Sequence, residues 1–141
     1  MKYLSWFLTI LLAAVVTLAG AEQPAAGQLV LRGKLVQPAG EEPFLQLADG
    51  KKYFVDGDEF TLSQMKDPKL RGRELELEGR FKGTGRFDAT KIFTIKDGKR
   101  FIATYWCEIC SIRTHKAGIC MCCQGDTELQ ELPEGQDRLG L

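Results

Sequence analysis

Apolar and polar residues alternate along several short stretches of the chain, and this alternation predicts β-strands. In residues 29–35 the odd positions are Leu or Gly, and in residues 74–81 Leu, Gly and Phe alternate with charged residues. The second stretch therefore predicts a strand with one face in water. Other strands are predicted at residues 44–48, 52–55, 91–96 and 100–106. The pattern is that of a mainly β protein.

One short helix interrupts the predicted strands. Thr61 and Gln64 are spaced as in a capping box, which predicts a helix that begins near Thr61, and Asp67–Pro68 ends or restarts it. The order is three strands, a helix and two or three further strands. Over residues 29–102 this order resembles an OB-fold, a small five-stranded Greek-key barrel. An SH3-like or other small barrel is the alternative.

The N-terminus has the pattern of a secretory signal peptide. Lys2 precedes an apolar run over residues 4–18, and Ala19-Gly20-Ala21 supplies small residues at a cleavage site. We expect a signal peptide over residues 1–21, a linker over 22–28 and a barrel over 29–104. The mature protein would be periplasmic or secreted, with no membrane anchor after cleavage. Residues 131–141 are polar and predict a disordered tail.

Charge argues against nucleic acid as a partner. The chain has 19 Lys and Arg residues and 19 Asp and Glu residues, so it has no net positive field for a phosphate backbone. Neither a Ser-His-Asp set nor a metalloprotease motif occurs, and the chain has a single histidine. We therefore expect a protein that is not an enzyme.

The five cysteines all lie between residues 107 and 123. Cys107 with Cys110 and Cys120 with Cys123 form two Cys-x-x-Cys pairs, and two such turns can direct four thiolates at one ion. The prediction is a metal-binding ribbon over residues 105–130, with Tyr105 and Trp106 packing it onto the barrel. The predicted ion is zinc, because thiolates suit zinc and a short polar segment needs an ion to fold.

Three residues near these pairs leave the ligand set open. Cys122 and Met121 crowd extra sulfur beside the second pair, which favours copper(I) as the alternative ion. Cys122 is a candidate fifth ligand or a spare thiol. His115 lies between the pairs and is a candidate ligand or a histidine in an exposed loop.

The segment also resembles a short heavy-metal-binding domain of bacterial metal-handling proteins. About 25 residues carry the resemblance, namely Tyr105-Trp106-Cys107, Cys110, Gly118-Ile119-Cys120, Cys123 and Leu129. Three departures are Cys110 where the family has His, Ala117 where it has Pro, and Gln124-Gly125 where it has Gly-Met. The resemblance implies metal binding linked to heavy-metal handling.

The predicted function is binding, buffering or sensing of a metal ion by an exported, non-enzymatic protein. Two alternatives remain. Disulfides or a structural zinc ion could staple a barrel that binds an unknown protein partner or ligand, although five cysteines leave one unpaired. The Cys107–Cys110 pair could instead serve a thiol–disulfide oxidoreductase.

Overall fold

The computed structural model describes residues 27–136, which are mainly β with one α-helix. The predicted signal peptide, residues 22–26 of the linker and residues 137–141 of the tail lie outside this range. Within it, no helix combines the length and the apolar character needed to cross a bilayer. The strands are β1 (Leu29–Val36), β2 (Phe44–Gln46), β3 (Lys52–Asp56), β4 (Glu74–Phe81), β5 (Arg86–Lys96), β6 (Lys99–Cys107), β7 (Ile112–Thr114) and β8 (Glu128–Pro133).

Five of the strands form a ring. β1 pairs antiparallel with β2 and β4, β2 with β3, and β4 with β5, while β3 and β5 close the ring as a parallel pair. The inside is filled by large apolar side chains, among them Leu35, Leu45, Leu75, Leu77 and Phe87, each at most 1% exposed. The prediction of a mainly β fold with one helix and a Cys-rich C-terminal segment is confirmed.

Helix α1 (Glu59–Lys66) lies between β3 and β4 in the chain. It begins two residues earlier than predicted, because Asp58 caps it: the backbone N–H of Thr61 donates to Asp58 Oδ1 at 2.8 Å. The helix ends before Asp67, and Pro68–Leu70 form a single 3₁₀ turn. The Asp67 side chain accepts a hydrogen bond from the Lys69 N–H at 3.0 Å and so caps this turn.

The middle of the outer face of β4 is buried, contrary to the prediction of a face in water, and only the two ends of that face are exposed. Glu76 and Glu78 are buried, because Arg100 of β6 lies against both carboxylates. The Arg100 Nη1 donates to Glu78 Oε1 at 2.9 Å, and a second nitrogen of the same guanidinium contacts Glu76. Lys91 adds a contact to Glu78 at 3.5 Å. Side chains of β5 and β6 thus pair with charges that the alternation in β4 assigned to solvent.

Strand β6 connects the ring to the Cys-rich segment. It pairs with β5 over residues 99–101, with β7 over 105–107 and with β8 over 101–106. The predicted boundaries at residues 104/105 and 130/131 therefore fall inside β6 and β8. The predicted disordered tail is wrong for residues 131–133, which belong to β8. Backbone pairing with β6 orders them, and the Glu131 carboxylate contacts Arg73 at 3.3 Å.

Candidate metal centre

The first Cys-x-x-Cys turn is the connection between β6 and β7. β6 ends at Cys107, and β7 returns antiparallel to it, with Cys107 opposite Ile112. The turn closes at Ser111, whose φ of 53° lies in the left-handed region. This reversal keeps Cys110 on the same side of the chain as Cys107, so the two sulfurs converge.

The second Cys-x-x-Cys turn has the same build. The N–H of Cys120 donates to the oxygen of Gly125 at 2.8 Å, and the N–H of Gln124 donates to the oxygen of Cys120 at 2.9 Å. Gln124 follows the second cysteine, as Ser111 does in the first turn, and has a φ of 58°. The N–H of Gly125 points at Cys123 Sγ, 3.4 Å away.

The two turns face each other and bring four sulfurs together. Cys107, Cys110, Cys120 and Cys123 have their Sγ atoms within 4.8 Å of one another, and Cys107 Sγ lies 3.5 Å from Cys123 Sγ. A tetrahedral zinc ion with bonds of about 2.3 Å would hold sulfurs about 3.8 Å apart. All five cysteines are free thiols in the structure. The four-cysteine group can therefore hold a metal ion.

Backbone N–H groups favour a thiolate at one corner of the group. The pKa of Cys120 is lowered to about 6, first by the N–H of Cys123 and then by that of Cys122. The pKa of Cys110 is raised, mainly by its side-chain hydrogen bond with Cys122. The N–H of Cys110 lowers the pKa of Cys107, but burial and the thiols of Cys123 and Cys120 outweigh it and raise that pKa. A cation would displace the shared protons and give four thiolates.

The helix and the 3₁₀ turn fix the Cys-rich segment against the ring. Gln64 Nε2 donates to the oxygen of His115 at 2.8 Å, and the N–H of Ala117 donates to Ser63 Oγ at 3.0 Å. Lys69 Nζ reaches the oxygen of Thr127 at 2.7 Å, just beyond the second turn. These contacts hold the connection between the two turns at a fixed distance from β6.

Tyr105 joins the same parts through its side chain. It is 1% exposed, and its hydroxyl donates to Asp67 Oδ2 at 2.6 Å. Burial and this hydrogen bond raise the pKa of Tyr105, so the phenol stays neutral. The predicted packing role holds for Tyr105, whereas Trp106 is only half-buried and lies under the Arg113 guanidinium at 5.3 Å.

Arg113 of β7 lies opposite Trp106 of β6. Its guanidinium donates to Thr104 Oγ1 at 2.9 Å, on the face of β6 opposite to that of Cys107, and the residue lines a cavity together with Cys107 and Cys120. Nothing in the spacing of the cysteines pointed to Arg113, nor to Gln64, Lys69 or Asp67.

Neither of the two further candidate ligands belongs to the four-cysteine group. Cys122 is exposed and lies beside Cys110 at the edge of the group. His115 is half-buried, and the group of sulfurs does not include it. Its backbone carbonyl, rather than its ring, makes the contact with Gln64 described above.

Comparisons of the chain with protein-family models, with curated proteins and with solved structures gave no match. The heavy-metal-binding domain and the OB-fold are therefore resemblances of pattern alone.

Proposed function

We propose that this protein binds one thiophilic metal ion through Cys107, Cys110, Cys120 and Cys123, and that it buffers or senses this ion outside the cytoplasm. One observation carries the proposal: the four sulfurs converge to within 4.8 Å without forming a disulfide. In so small a group, the thiolates already present repel a third or fourth thiolate unless a cation lies between them.

Zinc is the ion that this arrangement suits best. Four thiolates complete a tetrahedral shell, and Zn²⁺ has no electronic preference that would distort it. A closed shell leaves no position for a reactive water, so we propose a role without catalysis. Copper(I) is the alternative ion, because the exposed Met121 and Cys122 add soft donors at the edge of the group.

A structural role for the ion is the second candidate function. The two Cys-x-x-Cys turns lie between β6 and β8, which pair along six residues, so an ion there would also stabilise the sheet. In that case the barrel surface would bind a protein partner or ligand.

We further propose that the ring is an OB-like barrel, because its strand order β1-β2-β3-β5-β4 and its helix between β3 and β4 fit that fold.

Mass spectrometry of the exported protein tests the first proposal. The full chain is expressed in a bacterium, recovered from the periplasm and weighed under native and denaturing conditions. We expect cleavage after Ala21, one metal ion per chain under native conditions, and five free thiols after denaturation with a chelator. A metal-free protein that lacks two hydrogens for each of two cysteine pairs would be disulfide-bonded, and the proposal would be wrong.

Matched Ser variants identify the ligands. Cys120→Ser removes a buried sulfur from the group and should abolish stoichiometric binding, whereas Cys122→Ser should leave one ion per chain.

Hydrogen exchange then distinguishes the two candidate functions. If the ion is structural, chelation will remove protection from the amides of β6 and β8; if the ion is cargo, those amides will stay protected.

A further inference from the structure

A cavity connects the four-cysteine group with soft donors in solvent. It has a volume of about 300 Å³, and its lining includes Cys107, Cys120, Met121, Cys122, Arg113 and Thr127. Cys107 and Cys120 are 1% and 4% exposed, whereas Met121 is 83% exposed and Cys122 is also exposed. The lining therefore combines two buried cysteines of the four-cysteine group with two exposed sulfur-bearing residues.

We propose that Met121 and Cys122 form an exchange port, through which a thiophilic cation enters and leaves the four-cysteine group. The inference rests on the proposed function, and it assigns these two residues a transient ligand role that the closed shell of four sulfurs does not need. A thioether and a thiol that share a cavity with two buried ligands offer a soft cation sulfur donors outside the four-cysteine group.

Entry through the port is a series of ligand substitutions. The hydrated ion loses water as it binds the Met121 thioether and the Cys122 sulfur, and the Cys122 thiol releases its proton to water. The ion then binds Cys107 and Cys120 and afterwards Cys110 and Cys123, and the protons that these thiols still carry pass to water. The bonds to Met121 and Cys122 break as the new ones form, and Cys122 takes up a proton. Each new metal–sulfur bond replaces one to water or to another sulfur, and no electron is transferred.

Metal transfer to a chelator tests the port. Full-length wild-type protein, Cys122→Ser and Met121→Leu are each loaded with one zinc ion and, separately, with copper(I) under a reductant. Transfer to a chromophoric chelator is followed by absorbance. Ile119→Ala is the matched control, because Ile119 is 62% exposed next to Cys120 but does not line this cavity.

The port predicts a kinetic effect without an effect on capacity. Cys122→Ser should slow transfer of both ions about tenfold, and Met121→Leu should slow copper(I) but not zinc, since thioethers bind copper(I). Both variants should keep one zinc ion per chain, and Ile119→Ala should behave as wild type. Transfer by Cys122→Ser at the wild-type rate would overturn the port, and so would loss of its zinc, which would make Cys122 a resident ligand. Wild-type protein that retains neither ion would refute the proposed function itself.

Discussion

The hydrogen bond between Tyr105 and Asp67 is the clearest single test of how the Cys-rich segment is attached to the ring. In Tyr105→Phe the ring stays in place and only the hydroxyl is lost, so no cavity larger than one oxygen forms. The lost bond is short, at 2.6 Å, it is buried, and its acceptor is a carboxylate. Hydrogen bonds to charged groups contribute about 1.5–3 kcal/mol, so we expect a loss of about 2 kcal/mol.

The expected loss is large enough to measure by urea denaturation of the metal-loaded protein. With an m-value of about 1.5 kcal/mol/M, the midpoint should fall by about 1.3 M. The thermal midpoint should fall by about 8 °C for a domain of this size. The m-value itself should not change, because the variant exposes the same surface on unfolding.

Tyr53→Phe is the matched control. Tyr53 is half-buried, and within residues 27–136 its hydroxyl has no hydrogen-bond partner, so its loss should cost less than about 0.5 kcal/mol. Equal losses in the two variants would refute the argument that the Asp67 bond anchors the segment. A Tyr105→Phe protein as stable as wild type would refute it as well.

Two further predictions concern charge. The pKa of Tyr105 is raised above the value of about 10 that it has when unfolded, so its contribution is complete below pH 10 and is lost as the pH rises further. The advantage of wild-type protein over Tyr105→Phe should therefore begin to fall between pH 10 and 11, by about 1 kcal/mol in denaturation experiments, and should fall further at higher pH; a constant difference would contradict the raised pKa. Arg100→Leu leaves the buried carboxylates of Glu76 and Glu78 without their guanidinium and should cost about 3 kcal/mol in urea denaturation. Adding Glu76→Gln and Glu78→Gln should restore most of that loss, and no recovery would show that the charges are not its cause.

The sequence predicted the four-cysteine group because its geometry is local. A Cys-x-x-Cys spacing fits a tight turn, and one residue with positive φ after each second cysteine, Ser111 or Gln124, closes it. Cys122 has the same chemistry and lies in the same turn, yet it stays outside the group. Spacing alone could not show whether Cys122 or Cys123 joins the group, because this depends on how the second turn packs against the first Cys-x-x-Cys pair.

The first half of β5 escaped prediction for a different reason. Its pairing with β4 shifts at Glu78 and Gly79, so that Thr90 has no partner and the alternation is broken. Phe87 and Ala89 face the core before the bulge, and Ile92 faces it afterwards. A period-2 pattern cannot describe both halves of such a strand, so the sequence predicted the strand only from residue 91.

Contacts between distant parts of the chain account for the remaining differences. Glu76 and Glu78 follow the solvent pattern of β4, but both are buried and both pair with Arg100, more than 20 residues later in the chain. Residues 131–133 begin the polar stretch that ends the sequence, but β6 provides their backbone with pairing partners. The local sequence predicts neither the burial of these two carboxylates nor the pairing of residues 131–133 with β6.

The pairing of β6 with β8 has a consequence for how tightly an ion can be held. The two Cys-x-x-Cys turns belong to one closed loop whose ends meet in a sheet, so folding of the polypeptide has already restricted the search for the binding arrangement. A ligand binds more tightly to a site that is already ordered, because less free energy is spent on ordering the site when the ligand binds. The affinity for an ion therefore depends partly on β8, a strand that contributes none of the four cysteines.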